Sequence, residues 1–106
     1  MKNASRSHDE AVIELLRDDP EFASAYLSAA LDEAEEPGGR VALLAALRQV
    51  AEARGMAAVA ARAGIPRESM YRVLSPSGNP RLETLLAVIA ALGLRLDIRT
   101  SESATA

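Results

Sequence analysis

The residues best suited to chemistry fall in one short run, Arg67-Glu68-Ser69-Met70-Tyr71-Arg72, followed by Ser75, Ser77 and Asn79. A guanidinium offers two parallel donors that fit the O6/N7 edge of guanine or a phosphate. A carboxylate can accept from a cytosine amine, and hydroxyl, phenol and amide groups bind phosphate oxygens. This is the chemistry of recognition rather than of bond breaking. A serine nucleophile needs a positioned base, and the only histidine, His8, lies close to the N-terminus and reads as a solvent-exposed residue at a helix start. There is no cysteine, so disulfides and thiolate metal sites are excluded, and a single terminal histidine does not suggest zinc. The carboxylates fall on exposed helical faces with no cleft implied. The expectation is a protein that is not an enzyme and takes no cofactor or metal.

Charge is distributed unevenly. The net charge of −3 looks wrong for a DNA binder, but distribution matters more than the sum. Residues 1–39 set three basic residues against ten carboxylates, a net −7. Residues 40–81 set seven arginines (40, 48, 54, 62, 67, 72 and 81) against Glu52 and Glu68, a net +5. Residues 82–106 come to −1. Every basic residue of the middle segment is arginine.

The elements that must position the polar run are helical. Of 106 residues 49% are hydrophobic and only three are aromatic, so the core is built from Leu, Ala, Val and Ile, and the Leu and Ala among them favour helix. Residues 1–7 are polar and expected to fray. Ser7 and Glu10 have capping-box spacing and predict a helix over 8–17. Asp19 with Pro20 predicts a second helix running to about 35, with Phe22, Tyr26, Ala29 and Ala30 on one stripe. Pro37-Gly38-Gly39 breaks the chain. Helices follow over 40–54, 56–63, 66–74 and 81–92, closed by Gly55, Gly64, a Ser-Pro-rich loop and Gly93. Leu94-Arg-Leu-Asp-Ile98 alternates with period two and predicts a short strand, which needs a partner and so points to a second copy of the chain. No apolar run approaches the roughly 20 residues of a membrane span, and no secretory h-region follows Lys2 and Arg6, so a cytoplasmic protein is expected. The chain reads as one helical domain over 8–99 with a flexible N-terminus and a flexible tail over 100–106.

Residues 56–74 meet four demands of a helix-turn-helix. Ala60 is small where the two helices touch. Gly64, four residues on, suits the left-handed turn. Val59, Ala63, Ile65, Met70 and Val73 flank the turn with apolar groups. Arg67, Glu68, Ser69 and Arg72 leave the outward face of the second helix polar, and Pro66 is tolerated in its first turn. An ordinary helical hairpin also uses glycine in its turn; the concentration of base-edge and phosphate-binding groups at the start of the second helix separates the two readings.

Residues 52–96 resemble the probable addiction-module antidote proteins, HigA-like antitoxins with a phage-repressor (Xre/Cro) helix-turn-helix. The resemblance rests on Ala53-Arg-Gly-Met56, Ala60, Gly64, Arg67-Glu68-Ser69 with Tyr71, Leu74-Ser75, Gly78-Asn79-Pro80, Thr84-Leu85 and Ala91-Leu92-Gly93-Leu94, and extends upstream to Tyr26-Leu27 and Ala30-Leu31. Ala57 and Ala58 depart from it, standing where many relatives carry a polar residue, often Gln, that can bind phosphate. Pro66 replaces the more usual Ser or Thr. The resemblance implies an all-α, phage-repressor-like bundle with N-terminal helices and a short C-terminal strand. It also implies a type II antitoxin that represses its own operon as a dimer on operator DNA and neutralises a RelE-type toxin.

Individual roles follow. Arg67 and Arg72 are expected on guanine or phosphate. Glu68 either accepts from cytosine or orients Arg72 at i+4. Ser69 is small enough for close groove approach. Tyr71 either bonds phosphate or packs in the core with its hydroxyl out. Arg62, Ser77 and Asn79 are expected to hold the backbone. The acidic N-terminal segment could meet a basic toxin surface. Two other readings remain open at this point: a stand-alone repressor without a toxin, and a protein-binding helical module that does not bind DNA.

Overall fold

The computed structural model describes residues 4–101, with side chains from His8 onward. Among them six helices follow in order: α1 (Ala4–Asp18), α2 (Phe22–Asp32), α3 (Gly39–Arg54), α4 (Met56–Ala63), α5 (Arg67–Val73) and α6 (Leu82–Ala91). The chain is all-helical, as its Ala- and Leu-rich composition predicts.

Boundaries differ chiefly at the start of α1, at both ends of α2, which stops at Asp32 rather than about 35, and over 94–98. Helix α1 begins at Ala4 rather than 8, because Ala4, Ser5 and Arg6 include no Gly or Pro to stop it, and the expected cap at Ser7 falls inside the helix. Residues 1–3 and 102–106 of the expected flexible ends lie outside the described residues. Pro20 does not open α2 directly: Phe22 N donates to Asp19 O at 3.0 Å and Ala23 N to Pro20 O at 3.2 Å, so a tight turn leads in and the helix proper starts at Phe22. The strand expected over 94–98 is not formed, and residues 94–101 carry no regular structure. Leu94 N still serves the end of α6, donating to Ile89 O at 3.2 Å. Beyond it, a single extended segment has no ladder partner among the described residues, and a lone strand is not a stable element.

Helix α3 is the hub. It packs against α1, α2 and α4, and α4 in turn holds α5 and α6. One core cluster runs through all six helices, with Leu16 of α1, Leu27 of α2, Leu44, Leu47 and Val50 of α3, Val59 of α4, Met70 of α5 and Val88 of α6 all buried. The 3.6-residue period explains the choice of face. Asp9, Val12 and Leu16 lie on one stripe of α1, turned toward α3.

A polar latch closes the α1–α2–α3 side. Gln49 is the one buried polar residue of the described core, at 6% exposure, and both ends of its amide are used. Its Oε1 accepts from the Tyr26 hydroxyl at 2.5 Å, and its Nε2 donates to Asp9 Oδ1 at 2.7 Å. Arg48 donates to the same Asp9 oxygen at 2.6 Å and also to Glu52 one turn away. No buried side-chain polar atom of the described residues lacks a partner, which matters because an unmet buried donor costs far more than a made bond gains. Burial works to raise the Asp9 carboxyl, but the Arg48 and Gln49 hydrogen bonds and the Arg48 charge outweigh it and hold Asp9 below the usual carboxylate range. Burial also opposes the Arg48 charge, yet its bonds to Asp9 and Glu52 raise it above the ordinary guanidinium value.

A carboxyl whose folded-state pKa is depressed adds stability above its unfolded pKa and loses it as pH falls through the folded value. Asp9→Asn should therefore lower stability near neutral pH by about 1 kcal/mol, the scale of a partly exposed charge-assisted bond. In urea melts across a pH series, the gap between variant and parent should close as pH falls below the ordinary aspartate range.

Candidate nucleic-acid interface

The local sequence builds the α4–α5 hairpin from its turn outward. Gly64 adopts φ 72°, the left-handed region that costs an L-residue roughly 1–2 kcal/mol. Its amide bonds to Ala61 O at 3.2 Å, and Ile65 N reaches back to Ala60 O at 3.0 Å, closing α4. Ala60, where the helices meet, is buried. Pro66 is extended at ψ 143°, and its carbonyl accepts the first helical bond of α5 from Met70 N at 3.1 Å. Proline stands where its missing N–H is no loss.

Helix α5 is anchored on one side and bare on the other. Met70 is 0% exposed and Leu74, just past its end, 1%, while Val73 packs partly buried against the same core. The step of about 100° per residue places Arg67, Tyr71, Glu68 and Arg72, in that order, around one arc of about 140°. All four are exposed. Tyr71 is 39% exposed, so its ring is not among the buried core residues. Ser69 is half-buried at the edge of the arc. No ion pair joins Glu68 to Arg72 among the described residues. On a short exposed helix such an i,i+4 pair is worth only about 0.3–0.5 kcal/mol, little against the entropy of fixing two long side chains. Glu68 instead sits in the first turn of α5, where the helix dipole favours it.

The loop after α5 is tied to its end. Ser75 Oγ donates to Arg72 O at 2.8 Å, and Gly78 N donates to Ser75 O at 2.8 Å. A Cβ on Gly78 would lie 2.0 Å from Val73 O, so only glycine permits this close return. Ser77 is exposed, with its hydroxyl 3.4 Å from that of Ser75. The Asn79 side-chain oxygen is taken by Arg40 at the start of α3, which leaves the amide nitrogen of Asn79 as its outward group.

The seven arginines of the basic middle segment divide by task. Arg48 is spent on the latch. Arg54 donates to Leu92 O at 3.1 Å and closes the end of α6. Arg40 holds Asn79. Arg62, Arg67, Arg72 and Arg81 are exposed and engage no acidic group among the described residues. The formal +5 thus counts three arginines, Arg40, Arg48 and Arg54, already committed to contacts within the fold. The contact of Arg40 with Asn79 was beyond sequence reasoning, since nothing in the pattern links positions 39 apart. Arg81 was not singled out by sequence reasoning either; its signal was its place as the cap of α6, at the end of the loop.

No three of the described His, Cys, Asp and Glu residues converge as a metal site would require, and no described helix is long and apolar enough to cross a membrane. Residues 8–100 match the family described as probable addiction module antidote proteins. The chain belongs to that family. The matched span takes in α4, α5 and the loop after them. This antidote-family chain is also similar to an uncharacterized protein of Haemophilus influenzae, with 42% identity over 62 residues, which is 58% of this chain and 64% of the relative. The chain thus spans somewhat less than two thirds of that relative. No solved structure matches it.

The two glycines carry a prediction. Gly64→Ala should cost about 1–2 kcal/mol from the left-handed backbone alone. Gly78→Ala should cost about as much or more, because backbone rather than a flexible side chain stands in the way. Denaturant melts of both variants check this, and a loss under 0.5 kcal/mol in each would mean that the hairpin and its loop can be built another way.

Proposed function

We propose that this chain is the antidote of an addiction module, that it binds operator DNA through α5 and the flanking loop, and that it represses its own operon as a homodimer. The observation that carries the DNA reading is the outward arc of α5, where Arg67, Tyr71, Glu68 and Arg72 stand uncommitted on a helix whose other side is pinned to the core. In such a hairpin the second helix enters the major groove with its N-terminal residues at the base edges. Arg67 opens the helix and is assigned to a base, with guanine its best match. Arg72, one turn on, and Arg62 at the end of α4 are assigned to phosphates. Ser77 and the Asn79 amide hold the backbone beside the loop. Ala57 and Ala58 offer the start of α4 no polar group for a phosphate, so Arg62 at its end, α5 and the loop carry that duty.

The second half of the reading is a cognate toxin of the RelE ribonuclease type. Family membership supports the existence of such a partner. The charge supports where it binds: Asp32, Glu33, Glu35 and Glu36 crowd the exposed end of α2, and a negative surface steers a basic partner. Both activities belong to the cytoplasm and require no catalysis by this chain.

Fluorescence anisotropy of the protein on its own upstream DNA tests the reading. Affinity should fall steeply with salt as phosphate counterions are released. Arg67→Ala should cost about 1–3 kcal/mol and relax sequence preference, whereas Arg72→Ala should weaken all sequences alike and reduce the salt slope by about one. No binding at low salt, or binding indifferent to both substitutions, would contradict the assignment.

A further inference from the structure

We infer that the segment Leu94–Ile98 pairs with the same segment of a second copy as an antiparallel two-stranded ribbon centred on Leu96, closing an apolar groove on each chain. This deepens the dimer proposed above, and its test contains no DNA, so the two can fail separately.

The groove lies between α2, α3 and α6, lined by Leu27, Leu31, Leu43, Leu85 and Ile89, with Leu94 and Leu96 at its rim. It is poorly covered. Leu31 and Leu96 are each 40% exposed, and Ile98, two residues on, is 95% exposed. Helix geometry extends the apolar surface along α6, since Leu82, Leu86 and Ile89 share one stripe and the first two are exposed. An apolar surface of this kind marks an interaction site. Past the Leu94 amide, residues 95–98 make no backbone–backbone hydrogen bond among the described residues, so their donors and acceptors are available to a neighbouring strand.

The occupant is read from the segment itself. In an antiparallel pair centred on Leu96, Leu94 faces Ile98 of the other copy, Leu96 faces Leu96, and Arg95 faces Asp97. All apolar groups fall on one side, and every charge on the other meets its opposite. The alternatives are worse. Sliding by one residue puts the apolar face of one strand against the charged face of the other. Centring on Arg95 or on Asp97 sets like charges opposite each other. Parallel in-register pairing sets Arg95 against Arg95 and Asp97 against Asp97, which is destabilising. Centring on Ile98 matches Asp97 with Arg99 but wastes Leu96 on Thr100. The sequence therefore favours one register with its own copy, the self-complementarity that a two-fold interface requires. Pairing carries Ile98 of each chain to the Leu94 end of the other, over the partner's groove.

Light scattering after gel filtration, with crosslinking, tests this. The parent chain should run at twice its 11.2 kDa mass. Arg95→Asp places carboxylates opposite Asp97 and should weaken the dimer at least tenfold, and Arg95→Asp with Asp97→Arg should restore it. The protein has no native cysteine, so Leu96→Cys on the two-fold axis should form a disulfide dimer under mild oxidation, because paired residues lie within disulfide reach. Far-ultraviolet circular dichroism should show unchanged helix content in each variant. A monomeric parent would overturn the proposal and leave the groove for a different protein. A dimer insensitive to Arg95→Asp, not restored by the double exchange, or not crosslinked through Leu96→Cys would overturn the ribbon.

Discussion

A seven-residue helix does not hold together by its own hydrogen bonds, because a helix that short does not recover the cost of its nucleus. Helix α5 exists because Met70 and Leu74 are buried beneath it and because Gly64 delivers the chain to the right place. That constraint fixes which residues can meet another molecule. With Met70 and Val73 turned inward, Arg67, Tyr71, Glu68 and Arg72 have only the outside left. The same burial makes the site rigid. Moving α5 would expose Met70 and Leu74 at a cost of about 1.5–3 kcal/mol each, which keeps the outward arc of the helix in one orientation.

The polar interior serves the same end from the opposite side of the bundle. Helix α3 carries Arg48 and Gln49 to the latch with Asp9 and Tyr26, and Arg54 to the end of α6. These contacts fasten α1, α2 and α6 to α3, and α4 continues directly from it. Arginine thus does two unlike jobs within one basic stretch. Where carboxylates or carbonyls converge on it, it holds helices together. Where the helix face turns outward and no acid pairs with it, its charge stays exposed to solvent. Charge segregation along the chain confirms neither job alone; the distinction appears only when each guanidinium is followed to its neighbour.

Much of this was legible in the sequence, and the boundary of legibility is physical. Local rules found the helices, because Gly55, Gly64 and Gly93 and the 3.6-residue apolar spacing act within a few residues of the chain. They found the turn and the division of α5 into buried and bare faces for the same reason. They overread Ser7 as a cap, since a capping box is a statistical preference and the helix simply continued to Ala4. They offered an ion pair with Arg72 as one of two readings of Glu68, and no such pair forms among the described residues, where solvent removes most of its gain. Bonds between distant positions were invisible: Asp9 with Arg48 and Gln49, Tyr26 with Gln49, and Arg40 with Asn79 depend on the packing of the bundle. The alternation over 94–98 was real as a pattern, but a strand is a property of two segments, and one chain supplies only one.

The central claim is that the recognition surface is α5 with the ends that flank it. An amide NMR titration of the full chain with duplex from its own upstream region measures this residue by residue. The account predicts that shifts concentrate over 62–79 and weaken with added salt, while α1 and α2 remain largely unmoved. Shifts confined to α1 and α2, with residues 62–79 unchanged, would contradict it.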